Sequence, residues 1–399
     1  MSPWRDRRLI YAAALLRAMG VGLTGVTFGL YLALLGLDAK RIGVVVAVGL
    51  AGSAFGTWLV GRWADAIGRR RTLILLGLLA AGGGLALAMR PTFPWLVVCV
   101  FLGMVNGMGR DRGAVLAVEQ AVLPSMTDAR TRTRTFAWYN VVLDAGHAGG
   151  SLLAGLPFLL RRWWAMDPLA SYQWTFLLYA LLNGLSSSLY VGLSPRVEAP
   201  AESLRATITP ASRRTVTRLA SLFAIDSVGS GFLTGALVSY WFHQRFGVGE
   251  ALLGPLFSAA RVANAGSHLA AAWLAKHIGL LNTMVFTHLP SNGCLIAMAF
   301  APSLSVAVAL FMLRELLVEM DVPTRQSYVV AVVRPEERTY ATGMTTLTRN
   351  IGWAVAPACA GYAMRAALGA PLILGGVIKS VYDLWLYAVF RRLKPEEES

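Results

Sequence analysis

Charged residues are scarce in this chain. Asp, Glu, Lys and Arg make up 14% of its 399 residues, where a soluble domain carries roughly 25%. With a mean hydropathy of +0.57, it reads as an integral membrane protein. Cysteine is equally sparse: Cys99, Cys294 and Cys359 sit inside apolar runs without metal-ligand spacing and read as small core residues. Missing too are the motifs of membrane enzymes and pumps. There is no His-Glu-x-x-His pair, no Asp-Asp-x-x-Asp diphosphate motif and no nucleotide-binding P-loop. No catalytic constellation, metal site or cofactor is therefore expected, and a self-contained ATP-driven pump is excluded. Long unbroken apolar runs also exclude a β-barrel, whose strands alternate.

What the chain does have is apolar length. Runs bounded by charge, Pro or Gly predict twelve transmembrane helices over 9–36, 41–61, 72–89, 94–123, 136–160, 174–194, 219–243, 252–274, 283–300, 303–331, 340–366 and 370–390. The first of these carries Arg17 and runs past Leu30 without a cleavage site, so it reads as a membrane helix and not a removed signal. The net charge of +15 would suggest nucleic acid in a soluble protein. Here the basic residues collect in alternate loops: 21 of the 36 Lys and Arg fall in segments on the side of the N-terminus and seven on the other. By the positive-inside rule both termini are cytoplasmic, and no nucleic-acid partner is expected.

The longest polar stretch, Ser194–Arg218, divides the chain into an N-terminal six-helix bundle (1–193), a cytoplasmic linker (194–218) and a C-terminal six-helix bundle (219–399). The halves repeat. Arg110-Asp111 matches Arg314-Glu315, and "RTFA" at Arg134–Ala137 matches "RTYA" at Arg338–Ala341, at one common spacing.

The loop between the second and third helices, "GRWADAIGRR" (Gly61–Arg70), resembles the signature G-x-x-x-D-(R/K)-x-G-R-(R/K) of the major facilitator superfamily of secondary transporters. Gly61, Asp65, Gly68, Arg69 and Arg70 match, and Ala66 departs from the expected cation. The resemblance implies an all-α fold of two pseudo-symmetric six-helix bundles, with this loop as a latch on one access state. Two partial motifs are similar to those of drug/proton antiporters. "MVNGMG" (Met104–Gly109) keeps the glycines of a helix-4 motif with Met104 in place of its arginine, and "GHAGG" (Gly146–Gly150) resembles a helix-5 motif with His147 in place of proline.

The fold so implied lines its cavity with helices one, four, seven and ten. Eleven of sixteen intramembrane charges fall on those four: Arg17, Arg110, Asp111, Arg112, Glu119, Asp226, Arg314, Glu315, Glu319, Asp321 and Arg325. An ionic side chain survives in a membrane only against water or a partner, so this excess marks a polar pathway. Arg17, Arg110, Asp111, Asp226, Arg314 and Glu315 are its candidate substrate-binding or cross-cavity charges, with Arg17 and Asp226 at corresponding depths. On a continuous helix Arg110, Asp111 and Arg112 lie ~100° apart and cannot share a face. Glu315 and Glu319 (i, i+4) are the first candidates for proton coupling, with Glu119 and the Asp144–His147 pair (i, i+3) beside them. Asp321–Arg325 and Lys379–Asp383 read as structural pairs.

The combined expectation is a monomeric secondary transporter of the inner membrane, in contact with lipid. It exports a small organic molecule, drug or metabolite, by proton-coupled alternating access. Import of an anionic metabolite, flipping of a lipid or amphiphile, and a sensor that binds without transporting are the alternatives.

Overall fold

The computed structural model describes residues 3–127, 132–198, 209–321, Arg325, Tyr328 and 338–391. Every regular element among them is helical: α1 (Pro3–Leu34), α2 (Ala39–Ile67), α3 (Arg69–Ala88), α4 (Phe93–Gly103), α5 (Ala114–Val122), α6 (Arg132–Leu153), α7 (Leu156–Trp164), α8 (Pro168–Val191), α9 (Pro210–Gly231), α10 (Gly235–Phe246), α11 (Glu250–Ile278), α12 (Leu280–Ala299), α13 (Leu304–Val318), α14 (Arg338–Ala366) and α15 (Ala370–Phe390), with short 3₁₀ turns at Leu123–Met126 and Pro195–Val197. In lipid a backbone must satisfy its own polar groups, which is why the apolar runs become helices. Their ends follow local chemistry. Asp38 caps α2 by accepting the Arg41 N–H at 2.9 Å, and Asp167 precedes Pro168 and caps α8 through the Leu169 and Ala170 N–H groups.

Several expected helices are not continuous. The fourth, expected over 94–123, stops at Gly103 and restarts at Ala114. The fifth parts between Leu153 and Leu156, and the seventh between Gly231 and Gly235. Of the tenth, Leu304–Val318 is helical, and Pro323, with most of 322–337, lies outside the described residues. Pro255, Pro290 and Pro357 lie inside α11, α12 and α14. Five stretches are long and apolar enough to cross a membrane by length and composition: Trp4–Leu34, Ala39–Ile67, Arg69–Ala88, Ser212–Phe246 and Ala370–Phe390. Large apolar side chains face outward as well as inward. On α3, Leu75, Leu78, Leu79 and Leu85 are exposed while Leu73, Leu76 and Leu87 are buried, the pattern of a helix with lipid on one side and protein on the other.

Packing divides the chain into two compact units. The first comprises residues 1–202 together with Thr234–Ala259, and the second Ser203–Leu233 together with 260–399. In the first, α1 packs on α6 and α8, α3 on α8 and α4, and α10 on α1. Its core holds Ile10, Ala14, Leu73, Val118, Tyr139 and Tyr190. In the second, α9 packs on α14 and α15, and α12 on α13 and α15, around Leu219, Phe223, Met284, Tyr382 and Phe390.

Candidate functional site

The interruption of the fourth helix is the centre of the first unit. From Met104, in left-handed conformation at φ 54°, to Gly113 the backbone is not helical. Arg110, Asp111 and Arg112 therefore do not occupy successive helix positions, and the ~100° spacing expected of them does not apply. Irregular backbone at membrane depth persists only where protein or water satisfies it, and here protein does. Asn106 Nδ2 donates to the Met104 carbonyl at 3.1 Å and to Ser53 Oγ at 3.2 Å, and Asn106 Oδ1 accepts the Met108 N–H at 2.9 Å. Asp111 Oδ1 accepts the Gly113 N–H at 3.3 Å.

His147 on α6 completes this set. Its Nε2 accepts the Asp111 backbone N–H at 3.1 Å, so Nε2 carries no proton in this arrangement and the ring's hydrogen is on Nδ1. That bond joins α6 to the interrupted helix. Asp144 is half-buried one turn earlier on α6.

Two further carbonyls of the interruption are met by the seventh helix. α10 begins at Gly235 with four free N–H groups. Thr234 Oγ1 accepts the Leu237 N–H at 3.4 Å, the Ala236 N–H donates to the Gly107 carbonyl at 2.9 Å, and the Gly235 N–H to the Met108 carbonyl at 3.3 Å. Only glycine fits such an approach. Gly107 has φ +61° and a Cβ there would lie 2.7 Å from the Ala236 Cβ, while one on Gly235 would lie 2.6 Å from the Gly25 carbonyl oxygen. Two broken helices thereby satisfy one another.

Charge is settled around the same interruption. Arg17 of α1 forms ion pairs with both Asp111 and Glu119. Glu119, fully buried on α5, also accepts the hydroxyls of Tyr139 at 2.6 Å and Tyr190 at 2.7 Å. Arg110 is half-buried in the irregular segment. Farther along the unit, Glu250 in the first turn of α11 pairs with Arg161 of α7 and accepts the Tyr172 hydroxyl at 3.0 Å.

In the second unit Glu315 is paired with Arg314 and lies 3.7 Å from Arg261 Nη2 and 3.1 Å from Asn264 Nδ2. Glu319, buried at the C-cap of α13, sits one turn on. Asp226 takes Lys379 Nζ at 2.8 Å and Arg349 Nη1 at 3.2 Å, with Arg325 Nη1 at 3.7 Å and paired in turn with Asp321. The Asp321–Arg325 pair is present, and the expected Lys379–Asp383 pair is not formed: Lys379 reaches Asp226 and Ser230, while Asp383 engages His288 and Asn292. Arg17 and Asp226 each have partners inside their own unit. No one-dimensional signal marks Tyr139, Tyr190, Lys379 or Arg349 as partners, although a buried acid on one helix does demand a cation on another.

The Gly61–Arg70 loop is tied down at the opposite end of α2. Gly68, at φ +100°, ends α2 and opens α3, Arg69 Nε donates to Asp65 Oδ1 at 2.8 Å, and Arg69 Nη1 reaches the Ala121 carbonyl at 3.2 Å. Glu198, which nothing in the loop motif indicates, accepts the backbone N–H of Arg69 at 2.6 Å and of Arg70 at 3.4 Å, a carboxylate at the positive end of α3. Gly61 has open space around it and Arg70 is half-buried. Among the described residues no cluster of three or more His, Cys, Asp or Glu is placed to hold a metal.

Outward apolar side chains and buried, paired charges describe an integral membrane protein, and the family match makes it a transporter and not an enzyme. Residues 10–357 match the Major Facilitator Superfamily, and the chain belongs to that family. It is 24% identical over 421 residues to an uncharacterized membrane protein of Saccharomyces cerevisiae, covering 97% of this chain and 94% of that one. It is 26% identical over 251 residues to the tetracycline resistance protein, class E, of Escherichia coli, covering 60% and 58%. Among solved structures it is similar to a D-xylose-proton symporter, with a TM-score of 0.76, 12% identity and coverage of 97% and 98%.

Proposed function

We propose that this chain is a proton-coupled exporter of a small organic molecule, working by alternating access between two bundles divided at the 194–218 linker, with both termini cytoplasmic. The observation that carries the reading is the grouping of Thr234–Ala259, from beyond that linker, with the first unit. With that grouping go the packing of α10 on α1, the Gly107/Met108–Gly235/Ala236 bonds and the Arg161–Glu250 pair. In a two-bundle carrier these are contacts between bundles, from the helix breaks at mid-depth out to the loop end that holds Arg161 and Glu250, so they seal the outer side and release when the carrier turns outward. Their strength suits a switch. Two backbone bonds at ~1 kcal/mol each and one ion-pair hydrogen bond at ~1.5–3 kcal/mol sum to a few kcal/mol, the range of a two-state equilibrium with a detectable minor state.

Export of a small organic compound is supported by the likeness to the tetracycline resistance protein and by the Met104–Gly109 and Gly146–Gly150 motifs. Proton coupling draws on the buried acids Glu315 on α13, Glu319 at its C-cap and Glu119 on α5, and on the half-buried Asp144 one turn before His147. The test is flux in proteoliposomes under an imposed pH gradient, with tetracycline and a panel of organic cations and anions. Uphill movement that stops with a protonophore is expected. Uphill movement that persists without the gradient removes the proton assignment, and ligand binding with neither flux nor counterflow removes the carrier.

A further inference from the structure

Among the described residues, the second unit buries a histidine against a carboxylate. His288 of α12 and Asp383 of α15 are each 1% exposed. His288 Nδ1 lies 2.8 Å from Asp383 Oδ1, Asn292 Nδ2 donates to Asp383 Oδ2 at 2.8 Å, and the Tyr382 ring stands edge-on to the imidazole at 6.4 Å. We propose that His288 and Asp383 form a proton-binding site and that its occupancy is transmitted to the break in the seventh helix.

The geometry suits proton uptake. Asp383 fixes the ring so that Nδ1–H faces the carboxylate, leaving Nε2 to receive the proton, and the resulting imidazolium has its counter-charge already in place. Asn292 holds the second carboxylate oxygen, so Asp383 does not swing away when the ring is neutral. Asp383 acts as the positioning residue.

Transmission follows from Lys379, one turn before Asp383 on α15. Lys379 Nζ bonds Asp226 Oδ1 at 2.8 Å and Ser230 Oγ at 2.9 Å, and Ser230 is in the last turn of α9, which ends at Gly231. With His288 neutral, Asp383 attracts both His288 and Lys379. With His288 protonated, Asp383 is neutralised locally and Lys379 rests more fully on Asp226 and Ser230. The other charged or titratable groups facing the pair are Tyr382 on α15, Asp226 on α9 with Arg349 and Arg325 behind it, and Arg314 and Cys294 toward α13. Among the described residues they surround the site without supplying a second hydrogen-bonded acid to the imidazole. The transmission rests on the carrier reading, whereas proton binding is tested without any substrate.

The experiment is nuclear magnetic resonance of the full chain, labelled at histidine and held in lipid nanodiscs, between about pH 5 and pH 8.5. The five histidines are assigned with His288→Gln, or, if that variant does not fold, with the other four replaced. The His288 ring signals are expected to move with pH in the wild type and to stay fixed across that window in Asp383→Asn. Ring signals that stay fixed in the wild type overturn the proposal, and so does movement that Asp383→Asn leaves unchanged. A titrating His288 with no change in amide exchange at Ser230–Ala236 retains the proton site and removes the transmission. None of these outcomes depends on whether the chain transports.

Discussion

Replacing Arg17 by Met tests whether the interrupted fourth helix is held by charge. The substitution keeps most of the apolar stem and removes the cation shared by Asp111 and Glu119. Glu119 retains two phenol donors, Tyr139 and Tyr190, each worth ~1.5–3 kcal/mol to a charged acceptor. Asp111 keeps the Gly113 N–H on Oδ1, and its Oδ2 is buried against Arg17. The loss therefore falls mainly on Asp111. Stranding a buried charge costs ~3–5 kcal/mol, and that is the expected destabilisation in reversible unfolding from mixed micelles. Adding Asp111→Asn should restore ~1–3 kcal/mol of it, the usual span of a contact coupling energy, because the amide is neutral and still accepts the Gly113 N–H. Arg17→Lys should fall between, since a single ammonium nitrogen lacks the guanidinium fork that meets Asp111 through Nη1 and Glu119 through Nη2. A double variant no more stable than the sum of its single changes would refute the pairing as the device that holds the segment.

The remaining predictions concern the outer seal and the loop. Gly235→Val places a side chain against the Gly25 carbonyl, and hydrogen exchange at the Ala236 amide is expected to rise at least ~10-fold, the equivalent of ~1.4 kcal/mol; unchanged exchange removes the close approach as a constraint. Glu250→Gln and Arg161→Ala should each raise exchange in the same segment, and the double variant should be no worse than either; additive effects would show that the two act separately. Glu198→Ala removes the acceptor for two N–H groups at the start of α3 and should cost ~1 kcal/mol in thermal stability. Gln120→Ala, at an exposed position on α5, is the control and should leave thermal stability unchanged; an equal loss in both variants would remove the cap.

The helical, membrane-spanning character was legible because it is written in composition and in run length, both properties of one dimension. The Gly61–Arg70 loop was marked by its spaced glycines, and Gly68 at φ +100° makes the reversal; the Asp65–Arg69 bond across it was not read from the sequence. The interruption at 104–113 was less legible. "MVNGMGRDRG" sits in an apolar run and carries glycines at 107 and 109, and apolarity alone cannot tell a continuous helix from one whose polar groups find partners elsewhere. Those partners, Ser53, His147, Gly235 and Ala236, are remote in sequence. The same remoteness misdirected Lys379, whose i, i+4 acid Asp383 is taken by His288 and Asn292 from another helix. Local spacing gives way wherever a buried partner offers a better hydrogen bond.

On the proposed alternating access between two bundles, the pairing of the two breaks limits how the carrier can open. A severed helix presents carbonyls on one side of the break and amides on the other, and hydrocarbon can satisfy neither. While the Gly107 and Met108 carbonyls face the Gly235 and Ala236 amides, all four groups are matched at little cost. Once the bundles part, each is stranded unless water reaches it, and leaving four such groups dry costs ~1–3 kcal/mol apiece, more than the seal itself is worth. The outward state is therefore attainable only if that vestibule is wet. Exchange at Ala236 then reports opening directly: its amide should exchange from the opened state with the rate of a solvated peptide, and a rate that stays low while a spin-label distance shows the bundles apart would mean that the breaks re-pair elsewhere and that the seal is not the switch.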